Sequence, residues 1–172
     1  MATPTAQRTR QDLLGVYLND HLAGATMGMS LARRMVASAG PGSERATVLS
    51  RLAAEITEDR SALLRIMAAL DIRVRAYKVF AARAGEKAGR LKLNGYLLTR
   101  SPLSDLEETE LLRLGVEGKA AGWRTLRELA DRDSRLDAGR LDELIARANQ
   151  QASVLESLRS STAERVLTSD VR

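Results

Sequence analysis

Apolar residues return every three or four positions through four long stretches of the chain. Over about 8–39 the repeat runs Leu14, Leu18, His21, Ala25, Gly28, Ala32 and Met35, and over about 43–70 it runs Leu49, Leu52, Ile56, Asp59, Leu63, Ile66 and Leu70. Over about 102–131 it is Leu112, Val116, Lys119, Trp123, Leu126 and Ala130, and over about 137–166 it is Leu141, Leu144, Ala148, Gln151, Leu155, Leu158 and Thr162. Steps that alternate between three and four keep a stripe on one side of a helix. Four such stripes of similar length predict an all-α, four-helix bundle in one domain spanning 1–172.

Punctuation agrees with the stripes. Gly40 is placed to take the left-handed conformation after the first helix, with Pro41 blocking its continuation. Ser43 is an N-cap with Glu44 in the first turn behind it. Ser101 before Pro102 can cap the third helix, and Ser104 with Glu107 offers an overlapping capping box. Asp137 can cap the fourth.

Connection lengths select the topology. The first and third links are a few residues long, which makes two antiparallel hairpins. About thirty residues join the second and third stretches, enough to return along a helix of roughly 42 Å. Those two helices are therefore expected to run parallel, joined by a crossover whose spacing of Val74, Tyr77, Ala81 and Ala84 predicts a short extra helix over about 74–90.

Each stripe is interrupted by one position with a long polar side chain: His21, Asp59, Lys119 and Gln151. Asp59 lies sixteen residues after Ser43 and Lys119 sixteen after Leu103, so in parallel helices they share a height. His21 and Gln151 fall at the same level when counted from their turns. Glu55 and Tyr17, each four residues before a member of the set, lie on the margins of the same faces. The six form a candidate midplane polar site. Unpaired, such groups would cost about 1–3 kcal/mol each and more when charged, so they are expected to satisfy one another.

Any metal at this level would have to use His21, Glu55 and Asp59 as ligands, with iron or manganese the natural ions for such donors. Lys119 argues against it, because a cation beside two inward carboxylates neutralises them without an ion. The expectation is that no metal or other cofactor is bound.

The overall pattern resembles the ferritin-like superfamily. The blocks "YLNDHLAGAT", "LARR", "RLKLNGYLLTRSPLSDLEETE" and "LGVEGKAAGWRTL" are similar to a small bacterial branch of it that lacks the complete di-iron ligand set. The resemblance implies a bundle with a long second-to-third crossover. The superfamily's site takes a Glu from each of two helices and a Glu-x-x-His from each of the other two. This chain has one histidine in all, so that set carries over to no complete group of positions.

Composition narrows the chemistry further. With 44% apolar and 3% aromatic residues, the core must be aliphatic, as suits helices. The absence of Cys removes thiol catalysis and thiolate metal sites. The start lacks the apolar region of a signal peptide, and no run approaches a membrane span, so a cytoplasmic protein with no membrane partner is expected.

Charge is concentrated in the crossover. Residues 72–102 hold Arg73, Arg75, Lys78, Arg83, Lys87, Arg90, Lys92 and Arg100 against Glu86, a balance of +7 within a chain of +5. Interleaved with Tyr77, Phe80 and Tyr96, this basic surface suits nucleic acid or an acidic partner. No recognised nucleic-acid motif accompanies it.

Gly24 and Gly28 sit inside the first helix at a cost of about 0.5–1 kcal/mol each relative to Ala. Close approach by a neighbouring helix or a large side chain such as Trp123 is the expected compensation, with a small ligand as the alternative. Met27, Met29 and Met35 are read as core filling.

The function that fits is a structural or interaction role without a working di-iron centre, leaning away from an enzyme. The alternatives are a metal-dependent oxidoreductase, with a mononuclear or degenerate di-iron site, and nucleic-acid or acidic-partner binding through 72–102. Partners stay open, a homo-oligomer among them.

Overall fold

The computed structural model describes residues 4–75, 101 and 103–168. Among them are four helices and no strand: α1 (Pro4–Ser38), α2 (Glu44–Ala69), α3 (Ser104–Ala130) and α4 (Ala138–Leu167). Their bounds agree with the hydrophobic stripes to within a few residues. The crossover helix expected over 74–90 lies outside the described residues, apart from Val74 and Arg75, which have no regular structure.

Two starts form as their caps dictate. The Ser43 hydroxyl accepts from the Ala46 amide at 3.1 Å, and Asp137 accepts from the Arg140 amide at 3.0 Å. Two other local expectations are corrected. The left-handed glycine of the first turn is Gly42, with φ of 76°, not Gly40. The Ser43 amide bonds the Gly40 carbonyl at 3.1 Å, so Pro41 and Gly42 occupy the centre of a turn that demands positive φ at its third residue. Ser104 opens α3 from inside as its first helical residue, and Leu103 at the cap position has no side-chain bond. The Ser101 hydroxyl instead accepts from the Leu103 amide at 3.2 Å.

The end of α2 is tied by a device the pattern does not announce. Asp71 takes a φ of 56°, the Ile72 amide reaches the Met67 carbonyl at 2.9 Å, and the Asp71 amide reaches Ala68 at 3.1 Å. These are the two bonds of a Schellman motif, with Asp where Gly is usual and Ile72 buried as its hydrophobic contact. Asn19 of α1 then holds the departing chain: its side-chain amide donates to the Arg73 carbonyl at 3.0 Å, and its oxygen accepts from the Arg75 amide at 2.7 Å.

Contacts fix the directions. Arg34–Glu108, Gly28–Leu112, His21–Gly122 and Tyr17–Thr125 descend α1 as they climb α3, so these helices are antiparallel. Arg45–Thr162 and Asp59–Gln151 make α2 and α4 antiparallel. Arg45–Asp105 and Asp59–Lys119 advance together, so α2 and α3 run parallel. Around the bundle the order is α1, α2, α4, α3, with α2 and α3 on one diagonal. The end of α2 and the start of α3 consequently lie at opposite poles.

The core is aliphatic, built on Leu18, Leu22, Met35, Leu49, Met67, Leu112, Leu126, Leu141, Leu144 and Leu155, with Trp123 as its aromatic. Packing is tight within each hairpin, α1 on α2 and α3 on α4. Between hairpins it is uneven: α2 barely touches α4 and is joined to it mainly by long polar side chains.

Candidate functional site

Three of the stripe-breaking residues meet. Asp59, 2% exposed, and Gln151, 1% exposed, are buried on α2 and α4, and Lys119 reaches them from α3. The Lys119 ammonium donates to Asp59 Oδ2 at 2.5 Å and to Gln151 Oε1. The Gln151 amide donates to Asp59 Oδ2 at 3.2 Å and to Glu55 Oε2 at 3.1 Å.

A fifth member was not anticipated. Arg147 donates to Asp59 Oδ1 and pairs with Glu58 at 3.1 Å. It lies one helical turn before Gln151, just off the apolar stripe, and its long arm carries the guanidinium inward. A search of the positions four residues from each polar stripe residue would have found it, as it found Glu55. Glu55 is further bonded by Arg51 at 2.9 Å.

The charges in this network balance. Asp59, Glu55 and Glu58 are set against Lys119, Arg147 and Arg51, and both oxygens of Asp59 accept strong bonds from cations. Burial pulls the Lys119 ammonium below its usual range, and the Asp59 carboxylate opposes that pull.

His21 and Tyr17 stand apart from the network. The Tyr17 hydroxyl donates to Thr125 Oγ1 at 3.2 Å, and its ring meets the imidazole edge-on with centroids 4.5 Å apart. The imidazole lies over Gly122, where a Cβ would fall 2.9 Å from His21 Cε1. His21 makes no hydrogen bond among the described residues, which corrects the expectation that it pairs within the core. Burial pulls the imidazole's pKa below its ordinary range, and Asp20 opposes the shift.

These two halves share a cavity of about 520 Å³ between α1 and α3, floored by Ile56, Asp59 and Leu63 of α2. Its walls are Leu18, Leu31, Leu112, Val116 and Leu126, with Tyr17, Asp20, His21, Arg34, Lys119 and Trp123 as further polar-bearing side chains on the lining. Met27, Leu111 and Leu114 form an exposed apolar rim, Leu114 at 70% exposure. Five glycines line it: Gly24 and Gly28 of α1, and Gly115, Gly118 and Gly122 of α3.

The glycine expectation is corrected here. A Cβ on Gly24, Gly115 or Gly118 would meet nothing within 4 Å, so neither a neighbouring helix nor Trp123 fills the space beside Gly24. Trp123 is 3% exposed, and its Nε1 donor has no acceptor among the described residues.

The residues present do not fit a metal. Among the described residues, no three or more His, Asp or Glu side chains converge as a ligand group, and His21, Glu55 and Asp59 are not brought together as one. Asp59 and Glu55 already spend their lone pairs on Lys119, Arg147, Gln151 and Arg51. No described helix is long and apolar enough to cross a membrane. Of the basic crossover residues, Arg73 is exposed and Arg75 half-buried, and Lys78, Arg83, Lys87, Arg90, Lys92 and Arg100 lie outside the described residues.

Comparison with known protein families, curated proteins and solved structures finds no match to the chain.

Proposed function

We propose that this protein is a non-catalytic binding protein on a ferritin-like bundle, in which a balanced charge network stands where such bundles hold metal and the α1–α3 cavity receives a small apolar ligand. The observation that carries the reading is the set of unfilled glycines. Each glycine inside a helix costs about 0.5–1 kcal/mol relative to Ala. At Gly24, Gly115 and Gly118 no close contact requires it. What the three glycines preserve is the space itself, and stability given up without a packing reason is the mark of a functional site. The cavity's size and its mostly apolar wall with a few polar groups suit a small molecule.

The parallel α2 and α3 and the midplane position of Asp59, Lys119 and Gln151 support the ferritin-like assignment. Lys119 and Arg147 bound to Asp59 support the absence of a metal centre.

The test uses N-phenyl-1-naphthylamine, a neutral apolar fluorophore, with energy transfer from Trp123, the only Trp in the chain. Saturable one-to-one binding is expected. Gly24→Leu should abolish it while leaving the helical circular dichroism intact, because the new side chain enters space that is open. Absence of saturable binding, or binding unchanged by Gly24→Leu, sinks the reading. Stoichiometric iron or manganese in tag-free protein, lost in His21→Ala, would instead establish the metal-dependent oxidoreductase.

A further inference from the structure

The proportions of the cavity select among apolar ligands. We infer that it binds one unbranched aliphatic chain of about 14–18 carbons, laid at full length in the trough between α1 and α3. The inference rests on the binding role proposed above and goes on to name the class of ligand.

Three observations carry it. The first is length. The lining residues run from Tyr17 to Arg34 along α1 and from Leu111 to Leu126 along α3. At about 1.5 Å per residue the trough is roughly 22–26 Å long. An extended hydrocarbon, with bonds of about 1.5 Å, advances about 1.25 Å per carbon. With about 2 Å set aside at each end for the radii of the terminal atoms, about 14–18 carbons fill that length.

The second is width. A volume of about 520 Å³ spread over that length leaves a mean section of about 20–24 Å². A methylene chain whose wall atoms stand about 4.0–4.5 Å away claims about 16–20 Å². One chain therefore fits. Two chains side by side, or a fused ring skeleton of twice that breadth, do not.

The third is where the wall lacks side chains. The Tyr17–Thr125 and Gly28–Leu112 contacts set the register of α1 on α3 and bring Gly24 to about the height of Gly118. That height is the middle of the trough. Among the described residues, a Cβ at Gly24, Gly115 or Gly118 would meet nothing within 4 Å. A compact ligand seated at either end would be indifferent to side chains at the middle. A chain that runs the whole length needs the middle clear, and the glycines keep it so. The ionic groups of the lining stand toward its ends, as Asp20 and Arg34 do, or are turned to one another, as Lys119 and Asp59 are at 2.5 Å.

The experiment titrates the full chain at pH 7.5 with straight 1-alkanols of six to twenty carbons, by displacement of N-phenyl-1-naphthylamine. Affinity is expected to rise about fourfold per methylene and to stop rising between about 14 and 18 carbons. Cyclododecanol should bind at least about tenfold more weakly than 1-dodecanol once their partition between water and octanol is allowed for. Vesicles of dipalmitoylphosphatidylcholine, a two-chain lipid, should yield no protein-bound lipid. Gly118→Leu places a side chain at the midpoint of the trough. By calorimetry it should leave 1-octanol within about twofold of its original affinity and cut the advantage of 1-hexadecanol over it to less than about tenfold. Gly115→Leu serves the same purpose if the first variant loses helical circular dichroism.

A break at ten carbons or fewer, an unbroken rise to twenty, or cyclododecanol equal to 1-dodecanol overturns the single extended chain while the binding role stands. So does a full hexadecanol advantage retained in the folded variant. Lipid taken up from the vesicles overturns it in favour of a two-chain ligand. If the naphthylamine itself fails to bind, the binding role falls first.

Discussion

Asp59 is a carboxylate at 2% exposure, and its placement is tolerable only because three donors converge on it. Removing one partner of a buried pair is more damaging than removing both. Lys119→Met is therefore expected to cost about 3 kcal/mol, toward the low end for a buried pair because Arg147 keeps its hold on Asp59. Adding Asp59→Leu should recover at least about 1 kcal/mol of that loss. Urea unfolding of the two single variants and the double variant measures the coupling, and additive losses would show that the residues act independently. The sequence revealed Asp59, Lys119 and Gln151 because each breaks an otherwise apolar stripe. It could not reveal that His21 packs on Gly122 and Tyr17 instead, since a modest rotation about the helix axis decides which neighbour an imidazole meets and leaves the stripe unchanged. Arg147 escaped because it is off the stripe and enters the core through the length of its arm.

At the scale of the helix, α1 and α3 each carry glycines that look alike in sequence and differ in surroundings. Gly24 and Gly118 face open space, so Gly24→Ala and Gly118→Ala should each raise stability by about 0.5–1 kcal/mol through helix propensity. Gly122→Ala should lower it by about 1 kcal/mol despite the same propensity gain, because the new methyl group meets an imidazole already braced by the Tyr17 ring. Thermal melts of the three variants decide this, and a stabilising Gly122→Ala would mean that His21 moves aside freely. Helix extents were legible because stripe, cap and punctuation agree, as at Ser43 and Asp137. The misses have local causes. Pro41 shifts the left-handed residue onward to Gly42, and Asp71 performs at the end of α2 a task more often given to Gly.

At the scale of the molecule, two short turns and one long link predicted parallel α2 and α3, and the Arg45–Asp105 and Asp59–Lys119 pairs show that direction. Spin labels placed on Ser50 with Glu110, and on Ser50 with Glu128, test it in a chain with no Cys of its own. All three positions are exposed. The 50–110 distance should be the shorter, since residues 110 and 128 stand about 27 Å apart along α3. The reverse order would require antiparallel helices. The cavity was not legible, because a hydrophobic stripe reports which side of a helix faces inward and not how far away its neighbour stands. The network linking α2, α3 and α4 has one more consequence, for how such a sequence can drift. Losing Lys119 leaves Asp59 short of a cation, and losing Asp59 leaves Lys119 and Arg147 with a charge too many. Each single step leads downhill, and only joint replacement reaches new ground. Asp59, Lys119 and Arg147 are therefore expected to change jointly rather than one at a time.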